Sequence, residues 1–163
     1  MKRINVYDVI TEIEENFHDN GFVFEVTNMT QDEVKEDIRY QDGFKMLTNE
    51  FTNDSQFSVE IDESKFLNDK NYEKDWFKIA YGDDIIYVCL RNDEENVEIS
   101  AIEVNKTCRG NGFGRIVVEG IEKYARNKSF NGVKMHAFDT KAESFWNHLG
   151  YFDNGNGYLY KEV

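Results

Sequence analysis

The run Val97-Glu98-Ile99-Ser100-Ala101-Ile102-Glu103-Val104, followed by Cys108-Arg109-Gly110-Asn111-Gly112-Phe113-Gly114-Arg115, decides how the chain is read. The first part is β-branched and apolar at near-alternate positions, the pattern of a strand. The second puts three glycines into five residues just before an amphipathic helix, in which Phe113, Ile116, Val117, Gly120, Ile121 and Tyr124 share one face. Glycines there free the backbone to take positive φ and to approach a ligand closely. Successive N–H groups opening a helix form an anion-binding nest, favoured further by the helix dipole. Arg109 and Arg115 add positive charge, so the expected guest is a phosphate or pyrophosphate. Two familiar phosphate loops are excluded. A dinucleotide fingerprint needs a third glycine where Arg115 stands, and a P-loop needs a GK[S/T] triplet that the chain lacks.

The phase of the first strand slips. Val97, Ile99 and Ala101 alternate, then Ile102 and Val104 continue one step out of register. A slip of one marks a β-bulge, expected between Ala101 and Ile102. Glu98, Ser100 and Glu103 then share the face opposite the apolar set.

Upstream, Trp76 to Tyr81 and Ile85 to Arg91 are aromatic and β-branched runs joined by Gly82-Asp83-Asp84, a hairpin signal. Asn92 to Glu95 is a second turn, which makes a three-stranded antiparallel meander. Nearer the amino terminus the spacing predicts a helix from Ile4 to Phe17, a strand from Phe22 to Thr27 and a helix from Thr30 to Tyr40. Phe57 to Ile61 is the best strand candidate between Gln41 and Asn71. Downstream, Val133 to Phe138 reads as a strand. A helix follows that opens on a Thr140/Glu143 capping signature and stops at Gly150, and Tyr158 to Val163 is a last strand. Strands followed by helix, strand, helix and strand argue for a mixed α/β sheet.

Composition narrows the function. A chain of 163 residues fits one domain and needs no disulfide or metal to build a core. Cys89 and Cys108 fit no disulfide framework, which suits a reducing compartment. Cys89 suits a core strand. Cys108 adjoins Arg109, which favours a thiolate, but no acyl-cysteine chemistry is expected. His18, His136 and His148 lack metal-ligand spacing, so no metal is expected. No apolar run approaches the ~18–20 residues that cross a bilayer, and no leader pattern follows Met1, so the expectation is a cytoplasmic protein without membrane contact. Net charge is −13: residues 1–95 carry 24 acids against 10 bases, and residues 96–163 carry 8 against 9. The acidic part disfavours nucleic acid and favours cationic partners, while the near-neutral remainder suits an anionic ligand.

Arg109-Gly110-Asn111-Gly112-Phe113-Gly114 matches the R/Q-x-x-G-x-G/A signature, and Ala142-Glu143-Ser144-Phe145-Trp146-Asn147-His148-Leu149-Gly150-Tyr151 matches an A-x-x-F-Y-x-x-x-G-F helix. In order and spacing the two segments resemble the GNAT superfamily of N-acetyltransferases. The resemblance covers roughly residues 74–163. It implies a mixed, mostly antiparallel central sheet flanked by helices, with a bulged strand splayed from its neighbour at the acetyl-CoA site. It divides one domain, 1–163, into a divergent acceptor-side part, 1–72, and an acetyl-CoA-binding part, 73–163. It implies that backbone amides of Arg109, Gly110, Asn111, Gly112, Phe113 and Gly114 hold the pyrophosphate of CoA. Backbone groups of Ile102 and Val104, with Phe145, would border the pantetheine arm.

The implied activity is direct transfer of an acetyl group from acetyl-CoA to a primary amine, with an amide freed at the bulge polarising the thioester carbonyl. The amine must lose a proton first, so Glu103 and then Glu98 are the candidate general bases. The acidic half suggests a cationic small molecule or protein as acceptor, and the family suggests a homodimer. Two departures matter. Trp146 stands where many members place an acidic Tyr, leaving solvent or Tyr151 as donor to the thiolate, although Tyr151 also suits the core. Asp139 stands where many place an Asn. A CoA-binding regulator without catalysis, and an acidic interaction protein that mimics nucleic acid, are the alternatives.

Overall fold

The structure is a computed structural model that describes residues 2–38, 74–136, 140–155 and 157–163. Helix α1 spans Val6–Asp19 and begins two residues later than its apolar spacing suggests. The Asn5 side chain caps it by accepting from the Asp8 N–H at 3.2 Å. Its far end is closed by Gly21, at φ +87°. The N–H of Gly21 donates to His18 O and that of Phe22 to Phe17 O, both at 2.9 Å, a Schellman closure. That closure takes Phe22 out of the strand expected at 22–27, and β1 runs Glu25–Met29 instead. Helix α2, Gln31–Ile38, opens on a reciprocal capping box. Thr30 N–H donates to Glu33 Oε1 and Glu33 N–H to Thr30 Oγ1.

Strands β2 (Lys74–Tyr81), β3 (Asp84–Asp93) and β4 (Asn96–Val104) form the meander. Both turns are shorter than their polar residues suggest. Gly82-Asp83 and Glu94-Glu95 carry them, because Tyr81 pairs with Asp84 and Asp93 with Asn96. A 3₁₀ turn, Lys106–Cys108, leads into α3, Phe113–Asn127; β5 (Gly132–Met135), α4 (Thr140–His148), β6 (Phe152–Asp153) and β7 (Leu159–Glu162) follow. The sheet order is β1-β2-β3-β4-β5-β7-β6. Among the described residues β4–β5 is the one parallel pair. The strand candidate at 57–61 and Phe138 lie outside the described residues. No described helix is long and apolar enough to cross a membrane.

One face of the sheet carries the larger core, where Phe77, Ile79, Ile86, Val88, Leu90, Val97 and Ile99 meet Val9, Ile13 and Phe17 of α1 and the apolar stripe of α3. The other face presents Trp76, Ile85, Tyr87, Cys89 and Ala101 to Val34 and Ile38 of α2. The two helices on the larger core lie close. A Cβ on Gly120 of α3 would stand 3.1 Å from Ile13 Cα. Asn16, almost fully buried, donates from Nδ2 to the Ile116 carbonyl at 2.7 Å, and Lys123 Nζ donates to its Oδ1.

The bulge is present but sits earlier than its sequence signal. Cys89 pairs with Ala101 and Leu90 with Ile99, which leaves Ser100 as the extra residue of β4. Ala101 therefore lies on the α2 face, with Glu98 and Glu103, and not with Val97 and Ile99. A methyl group fills either face, so Ala101 masked the true point of slippage.

Candidate active site

Strand β4 pairs with β5 only through Asn96–Ile99, and the ladder ends at Ile99 and Met135. From Ser100 to Val104, among the described residues, β4 pairs with β3 alone. Among the described residues the sheet is thus open on the β5 side of β4 just after the bulge. Beyond Val104, Asn105 turns the chain. Its N–H donates to Ile85 O at 3.0 Å and its side chain accepts from the Thr107 N–H.

The glycine-rich loop follows. Gly110 and Gly112 hold φ of +85° and +79°, which L side chains rarely adopt. A Cβ on either would meet nothing within 4 Å, so conformation and not crowding requires glycine, and the space beside both is open among the described residues. Gly112 is the N-cap of α3 and supplies no capping side chain. The first-turn N–H groups, which have no acceptor inside the helix, are left for a ligand. Asn111 steadies the loop by donating from Nδ2 to Cys108 O at 3.0 Å. Phe113 contributes only backbone here, because its ring packs edge-on against Phe22 and Phe24 in the core. A Cβ on Gly114 would lie 3.5 Å from Phe145 Cζ and 3.7 Å from Val104 Cγ2. The end of β4, the start of α3 and the half-exposed Phe145 of α4 therefore converge on one point. These residues fit CoA: an uncapped helix start for its pyrophosphate, and an apolar wall at a sheet opening for its arm. Phe145→Ala is expected to raise the Kd for acetyl-CoA about ten-fold with little change in melting temperature, measured by calorimetric titration. An unchanged Kd would remove Phe145 from the site.

The two candidate bases lie apart from the loop amides, on the α2 face. Glu103 is buried, stands opposite Tyr87 and is paired with Arg109, whose Nε also donates to Val104 O at 2.9 Å. Burial pushes the Glu103 carboxyl above the usual range, with Arg109 and then Lys106 opposing. Glu98 is bound by Arg91 and accepts from Ser100 Oγ at 3.3 Å. In the same row, Tyr87 and Lys78 both donate to Asp37 of α2. Burial would lift Asp37, but those two bonds outweigh it and hold its carboxyl low.

The structure closes two possibilities that the sequence left open, Tyr151 as acid and Cys108 as thiolate. Tyr151 is fully buried and donates to Glu122 Oε2 at 2.8 Å, and burial with that carboxylate holds its phenol far above any useful range, so it is no proton donor to the site. Trp146 packs edge-on against it in the core. Cys108 is buried, and burial, with Asp84 adding to it, pushes its thiol up against the hydrogen bonds to Ile85 O and Asn105 O, the direction opposite to activation. Asp139 lies outside the described residues. Glu122 itself went unseen in the sequence. Its partners Tyr151 and Lys161, the latter 3.0 Å away, are 29 and 39 residues distant, and nothing local marks it as buried.

A family model described as Acetyltransferase (GNAT) family matches residues 41–151. The chain belongs to the GNAT acetyltransferase family. Solved structures with the GNAT fold agree in architecture. A KacTA–DNA complex superposes with a TM-score of 0.57 at 15% identity, covering 85% of this chain and 92% of that one. AtaTR bound with AcCoA gives 0.56 at 14%, covering 85% and 92%. A GNAT-family acetyltransferase from Staphylococcus aureus Mu50 gives 0.55 at 15%, covering 86% and 99%. At these identities the likeness establishes the fold. The GNAT match begins at residue 41, ahead of the segments that carry the motifs and after α1, β1 and α2.

Proposed function

We propose that this GNAT chain acetylates a primary amine on a cationic small molecule or protein, using acetyl-CoA directly. The observation that carries the reading is the convergence of the Gly110–Gly114 loop, the free edge of β4 and Phe145 on one opening. The AcCoA named with the AtaTR neighbour supports the same ligand. Acetyl-CoA supplies an activated thioester. Loop amides of residues 109–114 hold its phosphates, and the β4 backbone at Ile102 and Val104 orients its arm. The acceptor amine approaches from the α2 face, and Glu103 takes its proton, with Glu98 as second candidate. The nitrogen then bonds to the acetyl carbon, the carbon–sulfur bond breaks, and the thiolate is protonated by solvent, since Tyr151 and Trp146 are both committed to the core.

The acceptor class follows from charge. Residues 1–95 carry the whole acidic excess, which attracts cations and repels a phosphate backbone. A neighbour was solved as a complex with DNA; by the same charge argument this chain would need a basic companion polypeptide to reach DNA.

Thiol release from acetyl-CoA over a panel of amines tests the reading. Release that depends on one amine is the expected result, and it should rise with pH through a limb above the ordinary glutamate range. The sign follows because only the deprotonated Glu103 accepts a proton, and burial raises its carboxyl. Glu103→Gln should remove that limb and slow release about 100-fold or more. A second reading, a CoA-binding regulator without catalysis, draws on the arginines that occupy both candidate bases. Acetyl-CoA binding with no release from any amine would favour it.

A further inference from the structure

Arg109 serves two places at once. Its backbone opens the glycine loop, but its side chain is turned back along the end of β4, where Nε donates to Val104 O and a terminal nitrogen donates to Glu103. The partners are unequal. The Glu103 side chain is 8% exposed and that of Arg109 is 48%. A half-exposed guanidinium on a long arm can choose another acceptor, and a buried carboxylate that loses its cation is left ready to take up a proton. A pyrophosphate seated on Gly110–Gly114 would be such an acceptor, carrying more charge than one carboxylate and matching the planar fork.

We propose that Arg109 is shared between Glu103 and the phosphates of acetyl-CoA: it covers Glu103 in the free protein and is drawn to the loop when the co-substrate binds, which uncovers Glu103 on the acceptor side. This rests on the reading of residues 109–114 as the pyrophosphate cradle. The arrangement couples the two sites in a definite order. Before acetyl-CoA arrives, Arg109 holds Glu103 and occupies the lone pairs on that side of its carboxylate. Afterwards, among the described residues, Lys106 is the cation left acting on it, and burial favours its taking a proton from an amine. By reciprocity, whatever loosens Glu103's hold on Arg109 must tighten binding of acetyl-CoA.

The test is calorimetric titration with acetyl-CoA of the wild-type chain, Glu103→Gln, Arg109→Ala and the double variant. Glu103→Gln is expected to bind about five-fold tighter or more than wild type. Arg109→Ala is expected to bind more weakly. In the Arg109→Ala background, Glu103→Gln should change affinity by less than about two-fold, since the shared group is gone. Equal affinity of Glu103→Gln and wild type, or the same gain with and without Arg109, would overturn the proposal. A measurement on the unsubstituted chain guards against loss of folding in the variants. The Arg109 Nε–H resonance, assigned by its absence in Arg109→Lys, should move on saturation with acetyl-CoA, and a resonance that stays put overturns the sharing as well. Wild-type protein that binds no acetyl-CoA would instead sink the cradle itself, a result distinct from binding without coupling.

Discussion

Gly112→Glu is expected to lower acetyl-CoA affinity at least about 100-fold, a loss of roughly 3 kcal/mol. Two effects add. Gly112 sits at φ +79°, where any Cβ is strained by roughly 1–2 kcal/mol. The new carboxylate would also stand at the N-cap of α3, where the first-turn N–H groups await an anion, and would repel or replace the phosphates. Gly112→Ala separates the two contributions. It keeps the strain without the charge and is expected to cost only about five-fold. Calorimetric titration of both variants reads the difference directly. If Gly112→Glu bound within about three-fold of wild type, the loop would not be the phosphate site.

Gly120→Leu is expected to destabilise the fold by about 3 kcal/mol and to lower Tm by about 6–12 °C. A helix-interior glycine ordinarily gains about 1 kcal/mol on replacement by Ala. Here the added Cβ meets Ile13 Cα at 3.1 Å and Glu12 O at 3.4 Å, and backbone cannot step aside as a side-chain end can. Ala should come out near neutral, as propensity and crowding offset each other. Leu has no room, and forcing α1 away would also strain the bonds that tie Asn16 to Ile116 O and Lys123. Thermal unfolding followed by circular dichroism is the measurement. A Gly120→Leu protein melting within about 2 °C of wild type would show that the α1–α3 contact is slack.

The proposed cradle is legible in the amino-acid sequence because its logic is local. Positive φ, a preceding strand and a following amphipathic helix are all written within a few residues of Gly112. Phe145 is legible only through the family resemblance, since nothing in its own neighbourhood says that it faces Gly114. The bulge announces itself as a broken alternation, yet Ala101 is small enough for either face and displaces the apparent slip by a residue. Phe22 looks like strand because it is aromatic beside Val23 and Phe24, but the Schellman closure of α1 claims its N–H. The Thr30/Glu33 capping box is an equally local signal, present in the sequence at helical spacing.

By itself, the sequence determined the α/β class, the order of the meander, the glycine-rich turn into α3 and the acidic bias of residues 1–95, because each depends on periodicity, glycine stereochemistry or a count of charges. Only the tertiary structure decided which charges meet. It set Arg109 against Glu103, Arg91 against Glu98, Lys78 and Tyr87 on Asp37, and Tyr151 and Lys161 on Glu122. It also pressed α1 against Gly120. The physical reason is the same in each case. A side chain's burial and its partner are fixed by how strands register and helices pack, over separations on which a window of neighbouring residues carries no information.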